Sequence, residues 1–116
     1  MLLPSQTRVY LSLGSTDMRK SINTLSVLVE GVLKLDPFCG HMFAFCNRSR
    51  NNAKILYWDR NGFCLWQKRL EKDRFKWPES VKEVVEIDQW QLSWLLEGLE
   101  INQPMRYREL SYATVL

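Results

Sequence analysis

The sequence predicts an α+β domain: a small antiparallel sheet in the order β-α-β-β-β-β-α, with two helices packed on one side of it. Three observations carry this. Two stretches with apolar residues at steps of three and four lie toward the two ends of the chain. Between them run short segments rich in strand formers and punctuated by turn residues. At 116 residues, 46% apolar and 25% charged, the chain is long enough for one core without disulfides or metals, so residues 1–116 are expected to form a single domain.

"RVYLSLG", residues 8–14, alternates apolar and polar side chains and reads as a strand ended by Gly14. A helix is expected next, capped by Ser15 or Thr16 with Asp17 in its first turn. Met18, Ile22, Leu25, Val29, Val32 and Leu33 form its core stripe. Pro37 and Gly40 make 35–41 a loop, and "HMFAFCN" reads as a strand. "AKILYWD" and "FCLWQKRL" are the arms of a hairpin, closed either by a four-residue turn from Asp59 to Gly62, the glycine left-handed, or by a two-residue Asn61-Gly62 turn. The two choices differ in register and therefore in which face each arm presents.

"KDRFKWP" is a short extended piece stopped by Pro78, and "VKEVVEI", residues 81–87, is a strand or an extended approach to a second helix. Asp88 caps that helix, Gln91 completes a capping box, Ile87 staples onto Leu92, Leu92, Leu95, Leu96 and Leu99 form its stripe, and Gly98 ends it. Residues 100–116 hold Pro104 and mixed polarity and read as an extended arm or a disordered tail.

Composition also narrows function. No window approaches the roughly 18 to 20 apolar residues of a membrane span, and no basic leader precedes an apolar stretch, so a cytosolic protein is expected. The three cysteines, an odd number, are expected as buried thiols. The net charge of +3 is unevenly spread: residues 48–76 carry nine basic and three acidic side chains, residues 77–116 three basic and seven acidic.

"TDMRK" (Thr16 to Lys20), "LDPFCGHMFAF" (Leu35 to Phe45), "AKILYWDRNGFCLWQKRLEKDRFKWP" (Ala53 to Pro78) and "WLLEGL" (Trp94 to Leu99) follow one another in an order and spacing that resembles the TnpB accessory proteins of the IS-sixty-six insertion sequences. The resemblance covers about residues 8–99. It implies a small accessory factor of bacterial DNA transposition, encoded beside a separate and larger transposase. It does not extend to the unrelated RNA-guided nucleases that share the TnpB name, whose nuclease motif is missing here.

The candidate site follows from charge. Lysine and arginine neutralise phosphates and release counterions, so the basic ribbon of Arg48, Arg50, Lys54, Arg60, Lys68, Arg69, Lys72, Arg74 and Lys76 is the candidate nucleic-acid surface, and its aromatic rings are mainly core. Arg19 and Lys20 have two readings. Arg19 pairs with Asp17, Asp36 or Asp59, or both residues contact a phosphate near the helix start.

Cys39, His41, Cys46 and Cys64 lack a C-x-x-C pair, and His41 and Cys46 have opposite parity on one strand, so no metal site and no cofactor are expected. Asp17, Asp36 and Asp59 each have a local structural role, and without a general base or a phosphate loop no enzyme is expected. The reading is a non-enzymatic accessory protein that contacts DNA phosphates without reading bases, while its acidic second helix faces a protein partner. The alternative is an adaptor that binds the transposase or a sister accessory protein and never touches DNA. No small-molecule substrate is expected.

Overall fold

The strand Met42–Cys46 is apolar at every position and all five side chains are buried, which means that both faces of the sheet around it must be covered. The computed structural model describes residues 6–101 and the two-residue strand 106–107. Its elements are β1 (Val9–Ser15), α1 (Ile22–Gly31), β2 (Met42–Cys46), β3 (Asn52–Asp59), β4 (Gly62–Arg69), β5 (Val84–Ile87), α2 (Gln89–Leu96) and β6 (Arg106–Tyr107). The strands form one sheet in the order β4-β3-β2-β1-β5-β6. The α+β class and the order of elements agree with the expectation.

Four points differ from it. First, the sheet is mixed: β1 and β2 run parallel, and the other neighbours run antiparallel. The segment between β1 and β2 contains α1, and a connection of that length permits a crossover to a parallel neighbour.

Second, the helices lie on opposite faces. Leu92 and Leu95 of α2 pack with Val9, Leu11, Met42, Ala44, Ile55 and Val85. Leu25 and Val29 of α1 pack with Tyr10, Phe43, Phe45 and Leu56. Side chains of alternate parity on β1, β2 and β3 supply the two cores, so one helix cannot serve both.

Third, α1 begins at Ile22, with Ser21 as its N-cap, and β1 continues to Ser15. The intervening "TDMRK" is a turn. The Asp17 carboxylate accepts from the Arg19 backbone N–H at 2.9 Å, and the Lys20 N–H donates to the Asp17 carbonyl at 3.1 Å. An aspartate that bonds the backbone two residues on offers an alternative to the helix.

Fourth, the hairpin pairs Asp59 with Gly62 across Arg60 and Asn61, and the left-handed backbone falls on Arg60, at φ 50°, rather than on Gly62. This fixes the faces. Lys54, Leu56, Trp58, Phe63 and Leu65 lie on the α1 side, and Ala53, Ile55, Tyr57, Trp66 and Lys68 on the α2 side.

The second helix starts as expected: the Gln91 N–H donates to Asp88 Oδ1 at 2.8 Å and the Asp88 N–H to Gln91 Oε1 at 2.9 Å. Gly98, at φ 86°, follows its end in the left-handed conformation common there. Most of the expected tail lies outside the described residues. No helix among the described residues is long and apolar enough to cross a membrane.

Candidate nucleic-acid interface

The topology sorts the eleven candidate cations into two places. The C-terminal ends of β1, β2 and β4 and the start of β3 meet at one end of the sheet, through the pairs Ser15 with Cys46, Cys46 with Ala53 and Asn52 with Arg69. The turn 16–20, the turn 47–51 and the segment after Arg69 all project from this end. Arg60 sits at the hairpin tip, eight residues of strand away, or about 25 Å at the usual rise. Ten candidates therefore share one end, and Arg60 does not.

Three of the ten are committed to the fold. Lys54, only 8% exposed, donates from Nζ to the Lys20 carbonyl at 2.9 Å and ties the turn 16–20 to the sheet on the α1 side. Lys68 emerges on the opposite face and donates from Nζ to the Leu96 carbonyl at 2.9 Å, at the C-terminal end of α2, where unpaired carbonyls carry partial negative charge. Arg50, at φ 59°, donates from Nη2 to the Leu13 carbonyl at 3.1 Å. Its Nη1 is buried without a hydrogen-bond partner, and the guanidinium lies beside the Cys46 thiol, whose pKa is nevertheless raised, burial being the largest cause.

Three cations are matched by a neighbouring carboxylate. Arg19 Nη2 meets Asp17 Oδ2 at 2.6 Å, Arg69 Nε meets Glu71 Oε2 at 2.9 Å, and Arg60 Nε lies 3.7 Å from Asp59 Oδ1. Of the two readings for Arg19, the ion pair with Asp17 is present. The Arg19 guanidinium, through its hydrogen bonds, holds the Asp17 carboxyl below the usual carboxylate range. All three pairs are solvent-exposed, where such contacts contribute little to stability.

Lys20 is half-buried, which leaves Arg48, Lys72, Arg74 and Lys76. They are exposed, and their side chains make no hydrogen bond or ion pair among the described residues. The backbone that carries them is well fixed. The Asn47 side chain accepts from the N–H groups of Asn51 and Asn52, each at 3.0 Å, which shapes the turn bearing Arg48. The Leu70 N–H donates to the Asn51 carbonyl and the Phe75 N–H to the Arg50 carbonyl, both at 2.7 Å, so the segment after β4 lies along that turn. Phe75 is 2% and Trp77 6% exposed, and the Trp77 indole N–H donates to the Ser12 carbonyl at 2.9 Å.

The aromatic rings of the ribbon stand elsewhere. Trp58 and Phe63 form a trio with Phe38 at the hairpin tip, with ring centroids 5.0 to 5.2 Å apart. Tyr57 and Trp66 pack against the core under α2. The expected acidic second helix needs correction: "QWQLSWLL" carries no charged side chain, and its flanking acids are the cap Asp88 and Glu97.

Sequence reasoning missed Trp90, which is 74% exposed. With Met42, Trp66, Gln89, Leu92, Ser93 and Leu96 it lines a groove of about 360 Å³. The signal was available: Trp90 precedes Leu92 by two residues, about 200° around a helix, and so lies off the buried stripe.

The remaining polar candidates stay apart. Asp36 accepts from the Phe38 N–H at 3.0 Å, Asp17 serves Arg19, and Asp59 stands at the hairpin tip. His41 Nδ1 accepts from the Arg8 N–H at 3.0 Å. Among the described residues no three His, Cys, Asp or Glu side chains gather where they could hold a metal ion.

Comparison with known proteins places the chain in a family. The family model described as "IS66 Orf2 like protein" matches residues 7–106. The chain is 40% identical over 105 residues to the uncharacterized protein y4hO of Sinorhizobium fredii, covering 89% of this chain and 91% of that one. It is 31% identical over 101 residues to the uncharacterized protein y4jC of the same organism, covering 86% of each. No solved structure matches.

Proposed function

The chain belongs to the IS66 Orf2 like family, a family of transposition-associated accessory proteins, and on that premise we propose that it is a non-enzymatic factor that holds DNA by its phosphates. The proposed surface is the end of the sheet that carries Arg48, Lys72, Arg74 and Lys76, flanked by Arg19, Lys20 and Arg69. The observation that carries the reading is the isolation of those four cations: each is mounted on anchored backbone, and none is matched by a carboxylate among the described residues. Unmatched cations on one side of a small domain attract polyanions. Arg50, Lys54 and Lys68 are left out of that surface, since each donates to a backbone carbonyl. Neither helix carries a lysine or an arginine, which supports binding that does not read base sequence.

A second reading is favoured by one observation, the exposed Trp90 beside its groove. Large exposed aromatic residues are typical anchors of protein interfaces. In this reading the protein is an adaptor for the transposase, with no DNA contact.

One experiment separates the two. Duplex binding followed by fluorescence anisotropy at low salt is expected to be strong, independent of sequence, and steeply weakened by added salt. Absence of binding together with co-purification of the transposase, lost in Trp90→Ala, would replace the first reading with the second.

A further inference from the structure

We infer that residues 72–76 form a cationic rail that follows one sugar-phosphate strand of a DNA duplex. The inference rests on the phosphate-binding reading and specifies its ligand. In "KDRFKW" the parity is strict from residue 74 onward: Arg74 and Lys76 point to solvent, and Phe75 and Trp77 are buried in the core on the α2 side. Side chains two apart on extended backbone are about 6.6 Å from each other, comparable to the separation of successive phosphates along one strand. Lys72, at the bend where the segment begins, continues the row, and Arg48 on the adjoining turn flanks it.

The row is interrupted by one acid. Asp73 is exposed, but its carboxylate is occupied by the Arg74 backbone N–H at 2.9 Å. The net charge of Lys72, Asp73, Arg74 and Lys76 is +2. Anchoring matters here. The Phe75 backbone hydrogen bond to Arg50, the buried Phe75 ring and the Trp77 indole bond to Ser12 hold the segment in place, so little order is lost when a ligand settles on it.

The same parity selects the ligand form. Proteins that grip single strands combine cations with exposed rings on which bases stack. The rings within this segment are buried, the Trp58, Phe63 and Phe38 trio stands at the far tip of the hairpin, and the exposed Trp90 stands by Met42, at the other end of β2 from Cys46. Contact is therefore with phosphates, and a duplex, which presents them densely, is the expected ligand.

The test is a salt titration of binding to a labelled duplex and to its separate strands, using the intact chain and variants checked by thermal melting. Lys72→Gln, Arg74→Gln and Lys76→Gln are each expected to lower the slope of log K against log salt by about 0.9 for the duplex. Lys72→Arg and Lys76→Arg should keep it, Arg60→Gln should leave it unchanged, and tryptophan emission should not change on binding. Tighter binding of the single strand with tryptophan quenching would overturn the inference while leaving phosphate binding intact. So would an unchanged slope in the three glutamine variants. Failure to bind any DNA, or loss of the transposase instead of DNA in those variants, would overturn the reading beneath it as well.

Discussion

Lys68 of β4 reaches across to α2, its ammonium donating to the Leu96 carbonyl at 2.9 Å. A cation at the C-terminal end of a helix, bonded to an otherwise unpaired carbonyl, stabilises by about 1 kcal/mol. Lys68→Met is therefore expected to lower unfolding free energy by about that amount in urea melts with an unchanged m-value. Its effect on DNA binding should vanish once the fraction folded is taken into account.

Trp77 tests the anchor of the rail. Trp77→Phe keeps most of the ring but leaves the Ser12 carbonyl without its donor, which is expected to cost about 1 to 3 kcal/mol. Arg74→Gln, at an exposed neighbouring position, should change stability by less than about 0.5 kcal/mol. Chemical denaturation of the pair gives the comparison directly.

His41 provides a pH signature. Burial, and secondarily the Arg8 guanidinium, lowers its pKa below the ordinary 6.5, while Glu86 opposes the shift. The neutral ring is thus favoured in the fold, where Nδ1 accepts from the Arg8 N–H. The unfolded chain binds the proton more readily, so this contribution is complete above pH 6.5 and is lost as pH falls through the folded value. His41→Phe is expected to flatten that part of the stability profile measured by thermal melting.

The cysteines differ in access. Cys46 is buried, and burial is the largest cause raising its thiol pKa, whereas Cys39 is exposed on the loop after α1. Since the thiolate is the reactive form, a maleimide should modify Cys39 in the native protein and reach Cys46 only in denaturant. Mass spectrometry of peptides reads the outcome.

What the sequence disclosed was mostly local. The pair of Asp88 and Gln91, the stripe of Leu25 and Val29, and the hairpin bounded by Asp59 and Gly62 all depend on neighbours within a few positions. "TDMRK" misled because Asp17 suits a helix start as well as a turn, and the Asp17 carboxylate decided between them by bonding Arg19. The two-sided core was foreshadowed in "MFAFC", which leaves no polar face.

The fates of the lysines could not be read in advance. Lys54 finds a carbonyl 34 residues earlier in the chain and Lys68 one 28 residues later, partners that only the folded arrangement brings near. Long cationic side chains bury their stems and choose distant acceptors, so charge counted along a sequence overstates the charge left for a ligand. Of the nine cations between 48 and 76, four remain unmatched among the described residues.

The most direct measurement is a backbone amide NMR titration of the protein with a short DNA duplex. Shifts concentrated at residues 47–51 and 69–77, with smaller ones at 16–20 and none at the hairpin tip 58–63, are the predicted result. Shifts centred on the hairpin tip or on Trp90, or no shifts at low salt, would contradict the account.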